Sequence, residues 1–364
     1  MNLEENNVYF RFNKNQLIDN FNEYNKLGTL YYPVKTNSNE AILEELIGLN
    51  SGFLVTTLKN FEKLQKLKAN MDKVCIINVL AEKETVKYYY DNGVRFFTFD
   101  NMKSLLDFSE YADLSKVKIA IRLSTMDIFK DEFTHLGADS REALEMIEFL
   151  KDKCSDYGIA FYIQKNLKSK ENVLESTINH ILNNYKNLGL KFINIGGVAL
   201  KSKDYIDILE DFKLQLDLEE IILEVGRDLV SNTMDLETRI IRSKNVSNQK
   251  IVIIKNGIYS GFFQSILYGK NFEMYLVNKE NKQIKFEHEK TENNEIEIFL
   301  CGGSSESGDK LGKVYIDSKY EDELLEGGII VIKNVGAYFE EFFMGYASDL
   351  NVKIQTKIKK AKCL

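Results

Sequence analysis

Between about residue 30 and about residue 225, short β-branched or aromatic runs alternate with polar-periodic stretches of helical length, and nothing else in the chain limits its fold as strongly. Strands are predicted at Thr29–Val34, Phe53–Thr56, Lys73–Asn78, Phe96–Phe99, Lys118–Leu123, Gly158–Ile163, Lys191–Ile195 and Glu220–Glu224. Helices are predicted between them at Leu58–Ala69, Lys83–Asn92, Met102–Glu110, Ser140–Cys154, Val173–Leu188 and Lys203–Leu216. A strand followed each time by a helix returns the chain to start a parallel neighbour, and about eight such units close a barrel whose active-site residues collect at the strands' C-terminal ends. After about Gly226 the pattern changes. Gln249–Ile254, Phe272–Val277, Gln283–Glu287, Glu295–Leu300 and Gly328–Ile332 are strand-like, with loops between them and little helix. The expected fold class is α/β: a (β/α)8 barrel over residues 13–228 with a C-terminal β-rich domain of residues 229–364, joined by residues 1–12, where Asn7–Phe12 is strand-like.

The 364 residues suffice for a barrel with an added domain. With 48 Lys and Arg against 55 Asp and Glu the net charge is -7, and the positive residues form no basic block, which argues against a nucleic-acid surface. No apolar run reaches the roughly 18 residues of a membrane span, and the N-terminus is too polar for a secretory signal, so a cytoplasmic protein is expected. Cys75, Cys154, Cys301 and Cys363 show no CxxC spacing, and His135, His180 and His288 are dispersed. Free thiols are expected, with neither a zinc site nor a disulfide framework.

Chemistry concentrates at the predicted strand ends. Tyr31 to Val34 read as a buried strand that delivers Lys35 to its C-terminal end, where Thr36, Asn37 and Ser38 offer turn and N-cap chemistry for a helix beginning near Asn39. A lysine at a strand end is by itself most often a solvated charge, and it is the residues around Lys35 that change that reading. To attack an aldehyde it must be neutral, which requires partial burial or a nearby cation. Glu224-Val225-Gly226-Arg227 closes the last barrel strand, with a plain Glu224–Arg227 ion pair as the alternative reading. Ile195-Gly196-Gly197 offers backbone N–H groups to an anion or is simply a turn, and Ile121-Arg122-Leu123 carries either a site cation or a surface ion-pair partner. In the second half stand Asn256-Gly257-Ile258-Tyr259, Ile266-Leu267-Tyr268, the run from Cys301 to Asp309, and Gly336-Ala337-Tyr338.

In their order, over roughly residues 31 to 346, these motifs resemble the pyridoxal-phosphate-dependent decarboxylases of ornithine, diaminopimelate and arginine, which share the alanine-racemase-like type III fold. The stretch Tyr32-Pro33-Val34-Lys35-Thr36-Asn37 is similar to that family's tyrosine-alanine-valine-lysine-alanine-asparagine run, which casts Lys35 as the lysine that holds pyridoxal phosphate (PLP) as a Schiff base. The resemblance gives Glu224 the pyridine nitrogen, and it gives the phosphate to Gly196, Gly197, Gly226, Arg227 and Tyr338. Arg122 is placed near the cofactor. It also implies a homodimer in which Glu306 reaches the partner's substrate.

Four departures from the family's pattern bear on the site and its reaction. Tyr162, in Phe161-Tyr162-Ile163-Gln164-Lys165, stands where the family stacks a histidine on the cofactor ring, and is read either as an aromatic replacement or as core. The third glycine of the phosphate loop is Val198. Ser305 occupies the position of the proton-delivering cysteine; a hydroxyl is far less acidic than a thiol, so released Lys35, Tyr259, Cys301 and water are alternative donors. Gly269 stands where ornithine decarboxylases carry an aspartate for the distal amine, which argues against free ornithine and for a larger or carrier-bound amino acid. His135, in Phe133-Thr134-His135-Leu136-Gly137, matches a loop near the active site, although a lone loop histidine is more often structural or exposed. The expected activity is decarboxylation of an amino acid or its conjugate, with Lys35, Ser305, Glu306 and Tyr259 as catalytic residues and no metal. A PLP-dependent racemase and a catalytically inactive regulator of a decarboxylase are the alternatives.

Overall fold

The computed structural model describes residues 8–77, 79–129, 133–163, 173–197, 204–344 and 355–358. Asn7, Asn78, Gln164, Lys165, Val198, Lys203 and Cys363, which figure in the expectations above, lie outside them. The chain opens with strand β1 (Tyr9–Phe12) and helix α1 (Lys14–Tyr24), and two compact units follow from it: Ile18–Gly226, and Arg227–Leu364 together with Met1–Leu17.

In the first unit, strand and helix alternate without interruption: β2 (Thr29–Pro33), α2 (Glu40–Gly48), β3 (Gly52–Val55), α3 (Leu58–Lys66), β4 (Val74–Ile76), α4 (Lys83–Asp91), β5 (Phe96–Phe99), α5 (Met102–Ser109) and β6 (Lys118–Arg122). Then come α6 (Ser140–Leu150), β7 (Asp156–Tyr162), α7 (Val173–Tyr185), β8 (Phe192–Gly196), α8 (Asp204–Gln215) and β9 (Glu220–Glu224). All pair in parallel, and β9 pairs with β2, so the sheet closes into a barrel. Local chemistry sets the helix starts: Asn39, Thr57, Asn101 and Asp139 each cap a helix by accepting from a backbone N–H of its first turn.

The barrel is filled, not hollow. Each of its eight strands sends one residue into a shared buried cluster: Tyr31, Leu54, Cys75, Phe96, Ala120, Ala160, Phe192 and Ile222. Three large rings are set apart by smaller side chains, and Tyr31 and Phe192 both meet Phe96 edge-on, at 5.5 and 5.4 Å between ring centroids. Glycines make room for them: a Cβ on Gly52 would lie 2.6 Å from the Tyr31 ring, and one on Gly158 2.8 Å from Phe192. At the strands' N-terminal ends Lys118 lies 4.2 Å from the Phe192 ring centre, is paired with Glu220, and stands 3.9 Å from Asp156. This cluster floors the barrel.

The second unit comprises α9 (Arg227–Val230), β10 (Met234–Val246), β11 (Gln249–Ile254), α10 (Phe263–Tyr268), β12 (Met274–Val277), β13 (Gln283–Phe286), β14 (Glu295–Cys301), β15 (Lys310–Asp317), β16 (Ile329–Ile332) and β17 (Gln355–Ile358). With β1 they form a nine-stranded sheet in which β10 is the spine. Its first half is flanked by β1 and β16, both antiparallel; past a register shift between Ile240 and Arg242 its second half pairs with β11. Among the described residues no helix is long and apolar enough to cross a membrane, and no cluster of His, Cys, Asp and Glu could hold a metal ion.

Candidate active site

Lys35 is held at its root. Pro33, the chain's single proline, ends β2 at φ -70, and a 3-10 turn over Val34–Thr36 follows at once. Val34 and Thr36 are fully buried, so the lysine between them has no freedom at its base. The Tyr32 hydroxyl donates to the Asn37 carbonyl at 2.9 Å, and the Asn37 side chain accepts from the Asn39 amide at 2.9 Å. The cap of α2 is Asn39 itself, accepting from Ala41 N at 3.0 Å, a correction to the expectation that Thr36, Asn37 or Ser38 would cap it. Val34, expected in the strand, belongs to the turn.

Around this turn the barrel brings together charges from distant parts of the sequence. Glu224 ends β9 and Arg122 ends β6. Burial pushes the Lys35 amine down from its ordinary range; Glu224 opposes that shift and Arg122 adds to it. Burial pushes the Glu224 carboxyl up, against the pull of Arg122, of Lys35 and of the hydrogen bond from Asn194. By surface area Lys35 is exposed and Glu224 half-buried. Both statements hold, because a side chain in the concave end of a barrel can touch water while protein on most sides weakens its hydration. An amine whose pKa is shifted down suits nucleophilic amine chemistry, in which the neutral form attacks.

The glycines shape this end. A Cβ on Gly196, the last residue of β8, would lie 2.8 Å from Glu224 Oε2 and 2.9 Å from the Tyr162 ring; one on Gly226 would lie 2.5 Å from Thr36 Oγ1. Gly197 adopts φ +79, and a Cβ there would meet the Ile163 carbonyl at 2.2 Å, so only glycine fits. Tyr162 ends β7 with 44% of its surface exposed, which excludes the core reading. Sequence reasoning missed Asn194. It is fully buried on β8 and donates from Nδ2 to Glu224 Oε1 at 2.7 Å, while its Oδ1 is buried without a hydrogen bond, a cost of about 1–3 kcal/mol. The signal was one polar residue in the apolar run Phe192-Ile193-Asn194-Ile195.

The second unit assembles two further groups. Arg227 Nη1 donates to Gln264 Oε1 at 2.8 Å and its guanidinium lies 4.9 Å from the centre of the Tyr338 ring. Gln264 in turn donates to the Ala337 carbonyl at 2.9 Å, and Tyr338 holds the left-handed φ of 60. Arg227 and Glu224 thus each have a partner of their own. The second group centres on Asp309, which accepts from Ile258 N at 2.7 Å and from Ser304 N and Oγ at 3.2 and 2.7 Å. Cβ atoms on Gly257 and Gly302 would come within 2.2 and 2.3 Å of its carboxylate. Asp309 therefore ties the Tyr259 loop to the loop bearing Ser305 and Glu306, of which Ser305 is exposed and Glu306 half-buried. Cys301 ends β14 with its thiol pushed up by burial, and His135 is exposed.

Comparison with known proteins matches residues 14–156 to the pyridoxal binding domain of the pyridoxal-dependent decarboxylases. A lysine/ornithine decarboxylase of Selenomonas ruminantium is 24% identical, over 70% of this chain and 68% of its own. A diaminopimelate decarboxylase of Campylobacter jejuni is 24% identical over 90% of this chain and 82% of its own. Among solved structures, the diaminopimelate decarboxylase of Helicobacter pylori complexed with L-lysine superposes with a TM-score of 0.76 at 21% identity, covering 93% of this chain and 88% of that one.

Proposed function

We propose, for a chain whose residues 14–156 match the pyridoxal binding domain of the pyridoxal-dependent decarboxylases, the PLP-dependent decarboxylation of an amino acid or amino-acid conjugate other than free ornithine. The observation that carries this reading is Lys35, a buried-root lysine with a lowered pKa, set beside Glu224 and Arg122 at the C-terminal ends of the barrel strands. The donor set fits the cofactor. Lys35 supplies an amine for the aldehyde, Glu224 a carboxylate for the ring nitrogen, Tyr162 an exposed aromatic face, and Gly196, Gly197 and Gly226 places where any Cβ would collide. Arg227 and Tyr338 are assigned to the phosphate by the resemblance.

When bound, PLP supplies an electron sink for the pair released as carbon dioxide leaves the α-carbon. The protein's own residues do the rest. Lys35 holds the cofactor in place and, once freed, carries a proton at Nζ. Glu224 keeps a proton at the ring nitrogen, where its charge is stabilised by Arg122 and Asn194. The resemblance assigns Glu306 to orienting the substrate, and Tyr259 and Ser305 are read as proton donors on the two loops that Asp309 ties together through Ile258 N and Ser304. Gly269, at φ +58 with open space around its Cβ position, adds no carboxylate for a distal amine, which supports a substrate with a larger or differently charged tail, carrier-bound forms included. A homodimer is part of the reading.

The test is borohydride reduction of the purified protein with PLP, peptide mass mapping, and carbon dioxide release across a panel of amino acids. A pyridoxyl group on Lys35 with carbon dioxide release supports the reading. Loss of optical activity without carbon dioxide would replace it with racemisation, and a protein that PLP cannot colour would sink it.

A further inference from the structure

Strand β8 is buried along its whole length and apolar at every side chain but one. Asn194 carries a cost in such a strand: its amide is stripped of water, and Oδ1 has no hydrogen-bond partner. Its one side-chain hydrogen bond runs from Nδ2 to Glu224 Oε1, 2.7 Å away. An amide can face an ionised carboxylate only with its nitrogen, so the contact favours the charged form of Glu224. The other oxygen, Oε2, accepts no hydrogen bond among the described residues and lies against Gly196, where a Cβ would come within 2.8 Å.

We infer that Asn194 is the positioning residue of Glu224: at the expense of barrel stability it fixes one carboxylate oxygen, so that the other is presented, charged, to a cationic ring nitrogen. The inference rests on the PLP reading only for the identity of that ring. The other groups facing Glu224 are Arg122 from β6, Lys35 from the turn after β2, and Cys75 from β4. The two cations act with Asn194, and burial acts against all three. Without Asn194 the carboxylate loses its fixed rotamer and takes up a proton at higher pH.

Asn194→Leu is close in volume, removes the orphaned oxygen and cannot donate. The full-length wild type, Asn194→Leu, Glu224→Gln and the double variant are compared by two readouts. The first is the pH titration of the Glu224 carboxyl carbon by NMR in PLP-free protein, assigned by its disappearance in Glu224→Gln. The second is the dissociation constant for PLP. The Glu224 titration is expected to move to higher pH in Asn194→Leu while the melting temperature holds or rises. PLP binding is expected to weaken about tenfold, the worth of one charge-assisted hydrogen bond, but less than about twofold when Glu224→Gln is already present. An unmoved Glu224 titration overturns the inference, as does an equal loss of affinity in both backgrounds, which would make Asn194 structural. A wild type that does not bind PLP would overturn the cofactor reading, and the titration would still decide the Asn194–Glu224 coupling.

Discussion

The barrel end around Lys35 and the loop junction around Asp309 both bury charge, and they treat it in opposite ways. Asp309 is saturated: its two oxygens take three hydrogen bonds, and two glycines close over it. Lys35 makes no hydrogen bond from Nζ among the described residues, and Glu224 uses one of its two oxygens. A saturated carboxylate organises backbone; an undersaturated one keeps its capacity for a ligand. The difference separates architecture from chemistry in a chain where both consist of buried polar groups among glycines.

The comparison can be broken at either end. The largest effect is expected at the barrel: Lys35→Ala should cut turnover by about a thousandfold or more, with stability to urea unchanged, because the side chain is part of a unit that works together. Asp309→Ala should do the reverse in kind, orphaning three donors and lowering unfolding free energy by about 3–5 kcal/mol. A stable Asp309→Ala protein that had merely lost turnover would erase the distinction.

The coupling at the barrel end can be sharpened by pH. The reactive amine is the neutral form, whose fraction rises as pH passes the Lys35 pKa. Arg122 holds that pKa down and Glu224 holds it up. Arg122→Met should therefore shift the pH profile of borohydride-trappable PLP attachment to higher pH, and Glu224→Gln should shift it to lower pH. Shifts in the same direction would refute the assignment. The smallest effect belongs to Gly269→Ala: with φ +58 and nothing near the Cβ position, only backbone strain is added, about 1–2 kcal/mol by thermal or urea unfolding, with PLP attachment unaltered.

The barrel was legible in sequence because its strands are buried on both faces and read as unbroken apolar runs. Phe96–Phe99 and Glu220–Glu224 fall on their predicted bounds, and the others differ by a few residues at their ends. The spine strand Met234–Val246 was missed although Met234–Ile240 alternates buried with half-buried residues as a strand does, because polar residues fill every second position and the strand's end from Arg242 on is mostly exposed. Lys310–Asp317 was missed because its first half is mostly exposed, and α1 because Lys14–Tyr24 is mostly polar. Within the site, single residues with strong chemistry stood out, Lys35 and Glu224 above all. Asn194, Gln264 and Asp309 act through the residues they touch, and such contacts join positions 30, 37 and 51 apart in sequence. No local pattern encodes them.

The floor of the barrel has a consequence for traffic. With Lys118, Glu220 and Asp156 at one end and a cluster of eight buried side chains above them, nothing passes through the barrel's axis. Whatever reaches Lys35 from the open end must go out the way it came. Among the described residues, what enters toward Lys35 and what leaves it share the end of the barrel opposite that floor.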